Sequence, residues 1–467
     1  MNAISLMPLL LALGQAEAKP ATPAAPPPPA AEAPAAAPAV QLTLDAALAR
    51  AAEANYDLAV ARAKLQQARQ GVWKAWSGYL PQVTASGAYT RNNVEAAIKL
   101  PIAYHVTLDG AGSTTGRTDY PLDVVEATIQ KKDQLGAQVQ ATQALFVPML
   151  WGMINAASHG ASAAEQSVEA ARREILFGVS QLFYGTASLR KVADVQQRLF
   201  ETARKHEHDA EVRYKTGTIP KVGLLRAQIE RAKAEQDLLR SKNGYESMRL
   251  ALATALDRPA DFEVVDPAEP ALPADPAALP QRALEDRPDV KAAREAEAAA
   301  RGARAGTVGK YLPSVGAFGR WQIANVTGFT GENTAWAVGL AANWNLLDGG
   351  LREAELREAN AKVAEAEAAR RGAEAKATLD VRQATLDLES AQANARKATE
   401  QRDLARENQR LIDVSYAAGA ATALEQADAQ TALSAAEVAA EAEALNARLA
   451  ALRLLKAAGA FDPAPAR

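Results

Sequence analysis

Few side chains in this chain of 467 residues are spaced for covalent or metal chemistry. There are four histidines, His105, His159, His206 and His208, and no cysteine. None of the histidines stands in a His-Glu-x-x-His pattern, which would put two imidazoles and a carboxylate base at one metal. His206 and His208 are two apart, so on a helix they do not share a face. The missing cysteine excludes disulfides, thiolate metal sites, thiol nucleophiles and a lipid on an N-terminal cysteine. Residues 110–116 are glycine-rich but lack the lysine and spacing of a phosphate loop, and residues 306–310 lack the full glycine pattern. The many carboxylates alternate with Lys and Arg, as on an exposed coiled-coil surface. Thr422-x-x-Glu425 has the spacing of a capping box. This inventory argues against an enzyme and implies no cofactor and no metal. The net charge of −3, without a basic run interleaved with aromatics, argues against nucleic acid.

The elements that carry these residues are long helices and a few strands. Alanine is abundant, aromatics make up only 5%, and Glu, Arg, Lys and Leu recur at helical spacing. The chain turns on one junction. Trp336, Val338, Leu340, Ala342, Trp344 and Leu346 alternate with Ala337, Gly339, Ala341, Asn343 and Asn345, a period of two that predicts a strand with one bulky apolar face. After Asp348-Gly349-Gly350 the alternation stops, and a helix-forming run continues for about 65 residues, far beyond the usual eleven or twelve. Asp348 is placed to cap its first turn.

The same plan occurs twice. Tyr79-Leu80-Pro81 recurs as Tyr311-Leu312-Pro313, and Asp57 recurs as Asp289 at the same spacing. Val212-Arg213-Tyr214 with Gly217 recurs as Val414-Ser415-Tyr416 with Gly419. The first pair is offset by about 232 residues and the second by about 202, so the first copy holds about thirty extra residues. They fall at 91–133, a Gly/Thr-rich charged segment that reads as an extended loop. Each copy reads helix, strand, strand, very long helix, tight turn, returning helix. The predicted strands of copy one are 82–90 and 134–145. In copy two, Val315, Ala317, Trp321 and Ile323 alternate with Ser314, Gly316, Arg320 and Gln322. Helices are predicted over 44–77, 151–215, 220–256, 281–308, 351–417 and 422–459. A helix of some 67 residues spans about 100 Å. Two shorter helices end to end match it, which describes a long helical cylinder with a waist. In the tight turns, Gly217 and Gly419 suit helix C-caps, Pro220 the first turn of the next helix, and Thr422 an N-cap.

Residues 1–18 resemble a secretory signal, with a short apolar core and a small-x-small site at Ala16-Glu17-Ala18. Residues 19–40 form a Pro/Ala-rich linker, 41–257 the first repeat, 258–280 a Pro-rich connector, 281–461 the second repeat and 462–467 a tail. No other segment is apolar for about eighteen residues, which leaves a β-barrel as the route into a membrane. All six tryptophans, Trp73, Trp76, Trp151, Trp321, Trp336 and Trp344, lie in or near the strand regions, as expected at a membrane–water interface. Four strands cannot close a barrel, and an open edge cannot be left in lipid. Several chains must therefore pool their strands. A periplasmic coiled-coil adaptor or scaffold is the alternative, and the duplicated strand pairs count against it.

At these residues the chain resembles the TolC family of outer-membrane efflux and secretion proteins. The resemblance covers about residues 41–461. Leu42-Thr43-Leu44-Asp45-Ala46-Ala47-Leu48, Gly78-Tyr79-Leu80-Pro81-Gln82-Val83, Asp286-Arg287-Pro288-Asp289-Val290 and Trp344-Asn345-Leu346-Leu347-Asp348-Gly349-Gly350 carry it. It implies a mostly helical fold with membrane β-structure: a homotrimer whose chains give four strands each to a twelve-stranded transmembrane barrel, above long antiparallel coiled-coil helices in the periplasm. It implies a passive exit duct of a tripartite efflux or type I secretion system, docked through a periplasmic adaptor on an inner-membrane pump. By the family pattern, acidic residues just past the second turn, here Glu425 and Asp428, ring the closed pore. Tyr416 matches a tyrosine that braces the closed tip, but the basic partner expected after Gly419 is Ala421 here. Copy one has Gly223 and Arg226 where copy two has the acids, so the two tips differ. The turns, with Gly217, Thr218, Pro220, Gly419 and Thr422, are the expected adaptor contacts.

Overall fold

The structure, a computed structural model, describes residues 40–103, 123–273, 275–327 and 332–461. The expected signal segment, nearly all of the Pro/Ala linker, the middle of the 91–133 insertion with His105, and the tail lie outside the described residues. In chain order the elements are β1 (Val40–Leu42), α1 (Leu44–Ala54), α2 (Tyr56–Ser77), β2 (Gln82–Arg91), β3 (Ala96–Ala103), β4 (Asp123–Gln130), β5 (Asp133–Phe146), α3 (Pro148–Lys215), α4 (Lys221–Ala255), β6 (Phe262–Val264), α5 (Leu279–Asp286), α6 (Pro288–Gly309), β7 (Ser314–Ala324), β8 (Thr334–Asn343), α7 (Leu351–Ala417) and α8 (Ala423–Ala457). At 68 and 67 residues, α3 and α7 are each about 100 Å long. No described helix is long and apolar enough to cross a membrane.

Two expected helices are each split in two. Thr43 caps α1 through a hydrogen bond from the Ala46 N–H. Twelve residues after Thr43, Asn55 leaves helical geometry (ψ 127°), and its side-chain oxygen accepts from the N–H groups of Asp57 and Leu58 at 3.0 and 3.3 Å. An asparagine that caps the next helix so well ends the one before it. In copy two the break falls at Arg287 (ψ 125°), because Pro288 excludes helical geometry from the residue before it.

The buried cores sit at the middles of the long helices. One joins Leu176, Phe183 and Tyr184 of α3 to α1, to Leu252 and Leu256 of α4, to Phe262 of β6 and to Phe461. A second joins Val381 and Leu388 of α7 to Leu279 of α5 and Leu454 of α8. These clusters lie where the returning helices end, at the expected waist. Arg287, 12% exposed, bridges Asp289 (2.7 Å) and Asp380 of α7 (2.9 Å) and donates to the Ala457 carbonyl of α8. Burial alone would raise the Asp289 carboxyl, but the Arg287 guanidinium outweighs it and holds that carboxyl below its ordinary value.

Beyond the waist, helices meet through glycine. A Cβ on Gly152 of α3 would overlap the backbone of Gly306 on α6. One on Gly302 would lie 2.7 Å from the Ala156 nitrogen, and one on Gly309 2.5 Å from the Met149 nitrogen. Absent side chains let the two backbones touch. Residues 306–310, set aside above as a defective phosphate loop, are therefore a packing surface. His159 reaches Glu295 across the same pair of helices at 2.8 Å.

β2, β5, β7 and β8 form one antiparallel sheet in that order. Its register aligns side chains in two sets. Val83 pairs with Ala141, Tyr89 with Leu135, Val139 with Trp321, Trp321 with Trp336 and Ala317 with Leu340. The other face carries Thr84, Ser86, Gln138, Gln140, Arg320 and Gln322. The apolar set is uncovered: Trp336, Val338 and Leu340 are 75%, 73% and 72% exposed. β2 and β8 are unpaired edges of this sheet.

Three expectations need correction. The 91–133 insertion is not simply a loop: β3 and β4 pair within it, and Asn92 N–H donates to the Lys132 carbonyl at 2.7 Å, so the β2–β5 hairpin is prolonged. Register shifts at Ala96/Ala97 and Pro101/Ala103 break the alternation that would have marked these strands. Asp348 does not cap α7. Gly350 (φ 86°) occupies that position, and Asp348 instead binds Arg352 at 2.7 Å, both nearly buried. Arg352 also donates to the Leu346 carbonyl and lies over the Tyr311 ring, locking the bend from strand to helix. Pro220 stands just before α4, as its N-cap, and not in its first turn.

The duplicated Tyr-Leu-Pro motif acts at these bends. Tyr79 donates its hydroxyl to the Val147 carbonyl at 3.1 Å, and the Tyr311 carbonyl accepts from the Trp344 indole at 3.1 Å.

Candidate functional site

The residues singled out by sequence gather at the ends of the helices, in the turns α3–α4 and α7–α8. Both turns have one design. Gly217 (φ 76°) and Gly419 (φ 75°) take the left-handed conformation open to glycine. Beside them Thr218 N–H donates to the Arg213 carbonyl (2.8 Å) and Ala420 N–H to the Ser415 carbonyl (2.8 Å), closing a Schellman motif on each helix. The Thr216 and Thr218 hydroxyls lie 3.0 Å apart in the first turn.

After the second turn the capping box forms in full. Glu425 N–H donates to the Thr422 hydroxyl (3.2 Å), and the Glu425 carboxylate accepts from the Thr422 N–H (2.7 Å) and hydroxyl (2.9 Å). The Thr422 N–H and hydroxyl hold that carboxyl below its ordinary value. Asp428, one turn further, is exposed on α8 and not engaged in the box.

Tyr416 does have a basic partner, from the other copy. Arg213, at the end of α3, donates to the Tyr416 hydroxyl at 3.2 Å, with its guanidinium 5.0 Å from the ring centroid. The gap left by Ala421 is thus filled by a residue at the place that Ser415 occupies in the second repeat. Asp413 makes a second tie: its carboxylate accepts from Gln409 (2.9 Å) on its own helix and from Gln426 (2.8 Å) of α8. Glu230 of α4 is half-buried. Burial, together with the Asp428 carboxylate, pushes its carboxyl up against the opposing pull of His206, Arg226 and Lys233. Arg213, Asp413, Gln426 and Glu230 were all missed by sequence reasoning. The repeat alignment marks Arg213 as the odd residue at its position, but only the fold puts it beside Tyr416.

The tryptophans occupy the opposite end. All six are about half exposed or more. Trp321 and Trp336 are cross-strand partners, and Trp151 stacks edge-on with Phe146 at 5.4 Å where β5 enters α3. Among the described residues no three of His, Cys, Asp or Glu gather as metal ligands.

Comparison with known proteins agrees with this architecture. The fold matches the outer membrane protein VceC of Vibrio cholerae (TM-score 0.70, 20% identity, covering 89% of this chain and 96% of that one). It matches the CmeC outer membrane channel of Campylobacter jejuni (TM-score 0.72, 16% identity, 90% and 86% covered). It also matches the open state of the MtrE outer membrane channel of Neisseria gonorrhoeae (TM-score 0.71, 20% identity, 91% of both chains covered). No curated protein sequence matches significantly. The family model described as "Outer membrane efflux protein" matches residues 47–258 and 279–460, one stretch in each repeat. Those two stretches make up most of the chain, and with them it belongs to the outer membrane efflux protein family, the TolC-type channels of the outer membrane with a periplasmic helical extension.

Proposed function

We propose that three copies of this chain form one passive exit duct, in which β2, β5, β7 and β8 of each copy contribute to a single twelve-stranded barrel and the helices continue it through the periplasm. The observation that carries this reading is the sheet itself. It has a bare apolar face, a polar face and two unpaired edges, β2 and β8. In lipid, unpaired N–H and C=O groups cost several kcal/mol each, so edges must find each other in a closed ring. Trp73, Trp76, Trp151, Trp321, Trp336 and Trp344 then lie at the membrane–water interface, with their rings against outer-membrane lipid.

At the far end, Asp428 of three copies would ring the narrowest part of the pore, favouring cations. Glu425 serves first as the cap of α8 and adds to the same acidic collar. Tyr416, with Arg213, braces the closed state. Gly217, Thr218, Pro220, Gly419 and Thr422 form the turns that meet a periplasmic adaptor, through which an inner-membrane pump supplies the energy. A duct of this kind needs no chemistry of its own. Purified protein inserted into planar bilayers tests the reading. Discrete, cation-preferring pores are expected; bilayers left non-conducting by correctly folded protein would refute it.

A further inference from the structure

The polar face of the sheet holds one unexplained charge. Of the charged residues in β2, β5, β7 and β8, Arg91 and Asp133 pair with each other on the apolar face, next to Tyr89 and Leu135. Arg320 alone lies on the polar face, opposite Gln140 on one side and Ala337 on the other. Its neighbours on that face are Phe318, packed over Gly339, and Gln322. Arg320 is exposed, and among the described residues no hydrogen bond or ion pair engages its guanidinium. An arginine held on a strand without a partner has its five donors free for something else.

We propose that the three Arg320 guanidinium groups of the assembled barrel form a cationic ring in its lumen that binds multivalent oxyanions and sets an anion preference at the outer-membrane end. This rests on the trimeric-barrel reading above. Strands about 4.8 Å apart, tilted by about 40°, give twelve of them a barrel roughly 24 Å across between backbones. Three inward arginines leave roughly 10 Å between their charged groups, close to the Debye length at physiological salt. Their fields therefore overlap at the axis, where a phosphate- or carboxylate-bearing solute must pass. Guanidinium also suits such groups geometrically, since its planar fork matches two oxygens. The duct would then carry opposite signs at its ends: acid from Asp428 at the helical tip and base from Arg320 in the barrel. An anionic cargo that has passed the tip would be drawn onward.

The test uses the full protein in planar bilayers, with inorganic tripolyphosphate added on the barrel side. Arg320→Gln is expected to raise the half-blocking concentration about tenfold and to move the reversal potential in a KCl gradient toward cation preference. Arg320→Lys keeps the charge and should hold the reversal potential near wild type, while its half-blocking concentration falls between wild type and Arg320→Gln because Lys lacks the planar fork. Gln322→Glu leaves Arg320 in place but sets a carboxylate beside it, and should reproduce the loss. If the pores of Arg320→Gln and Gln322→Glu are blocked and polarised as in wild type, the ring is overturned although the duct stands. If wild-type protein forms no pore, the barrel reading falls and takes the ring with it.

Discussion

Arg213 and Tyr416 come from different repeats, yet the Arg213 guanidinium donates to the Tyr416 hydroxyl at 3.2 Å and lies 5.0 Å from its ring centroid. The contact ties the end of α3 to the end of α7. A hydrogen bond from a charged donor contributes about 1.5–3 kcal/mol and an exposed cation–π contact about 0.5–1 kcal/mol. Tyr416→Phe removes the first, and Arg213→Ala removes both. Single-channel recording should therefore find the open state favoured roughly tenfold or more in the former and further in the latter. Equal, wild-type opening in both would remove this pair from the closing of the tip.

Asp428 is exposed one turn beyond the capping box, free to face the pore. Asp428→Ala should raise single-channel conductance and reduce cation preference. Glu425→Ala should act differently, opening the capping box and weakening α8 by about 1 kcal/mol. A thermal melt beside the conductance record separates the two roles. Unchanged conductance and selectivity in Asp428→Ala would take that residue out of the constriction.

Glu230 gives a pH dependence whose sign is fixed. Its folded-state value lies above the ordinary carboxylate value of 4.5, with burial as the main cause. An acid of this kind costs stability when ionised, and the cost is relieved as pH falls through the raised value. Glu230→Gln should raise Tm at pH 7, and the difference should vanish as pH falls below 4.5, where the carboxyl is neutral in both folded and unfolded chains. A gain that persisted at pH 4 would point to packing and not to charge.

The glycine contacts between α3 and α6 predict a sharp contrast. Gly302→Val has no room, because even a Cβ would lie 2.7 Å from the Ala156 nitrogen. It should cost about 3 kcal/mol or block assembly. Gly372 sits within α7 with nothing within 4 Å of an added Cβ. Gly372→Ala should stabilise by about 0.5–1 kcal/mol. Chemical denaturation of both variants checks the pair.

Arg287 should be the most sensitive charge at the waist. Replacing it by Met keeps much of the stem but leaves Asp289 and Asp380 facing each other without their cation. A loss of about 2–3 kcal/mol is expected. Double substitution with Asp380→Asn should recover part of it.

How much of this was legible depended on whether the signal was local. Period-two alternation at 314–324 and 334–343 and the Ala-rich runs of α3 and α7 repeat at every turn, so strands and long helices could be read directly. Thr43, Gly217, Gly419 and Thr422 announced their caps because capping is decided within three or four residues. The breaks at Asn55 and Arg287 were also local, but good helix formers on both sides hid them. β3 and β4 escaped because bulges disturb their alternation. Asp348 has two partners at local spacing, the N-terminus of α7 and Arg352 four residues on, and the shape of the bend selects Arg352. The tip was half legible. Thr422 with Glu425 speaks within one turn, whereas Arg213 with Tyr416 joins residues 203 apart in sequence.

If several chains share one barrel, the molar mass of detergent-extracted protein must show it. Light scattering with the detergent mass subtracted should give three chain masses, obtained from the outer-membrane fraction only after extraction. A monomer that is soluble without detergent would contradict the pooled barrel and, with it, the duct.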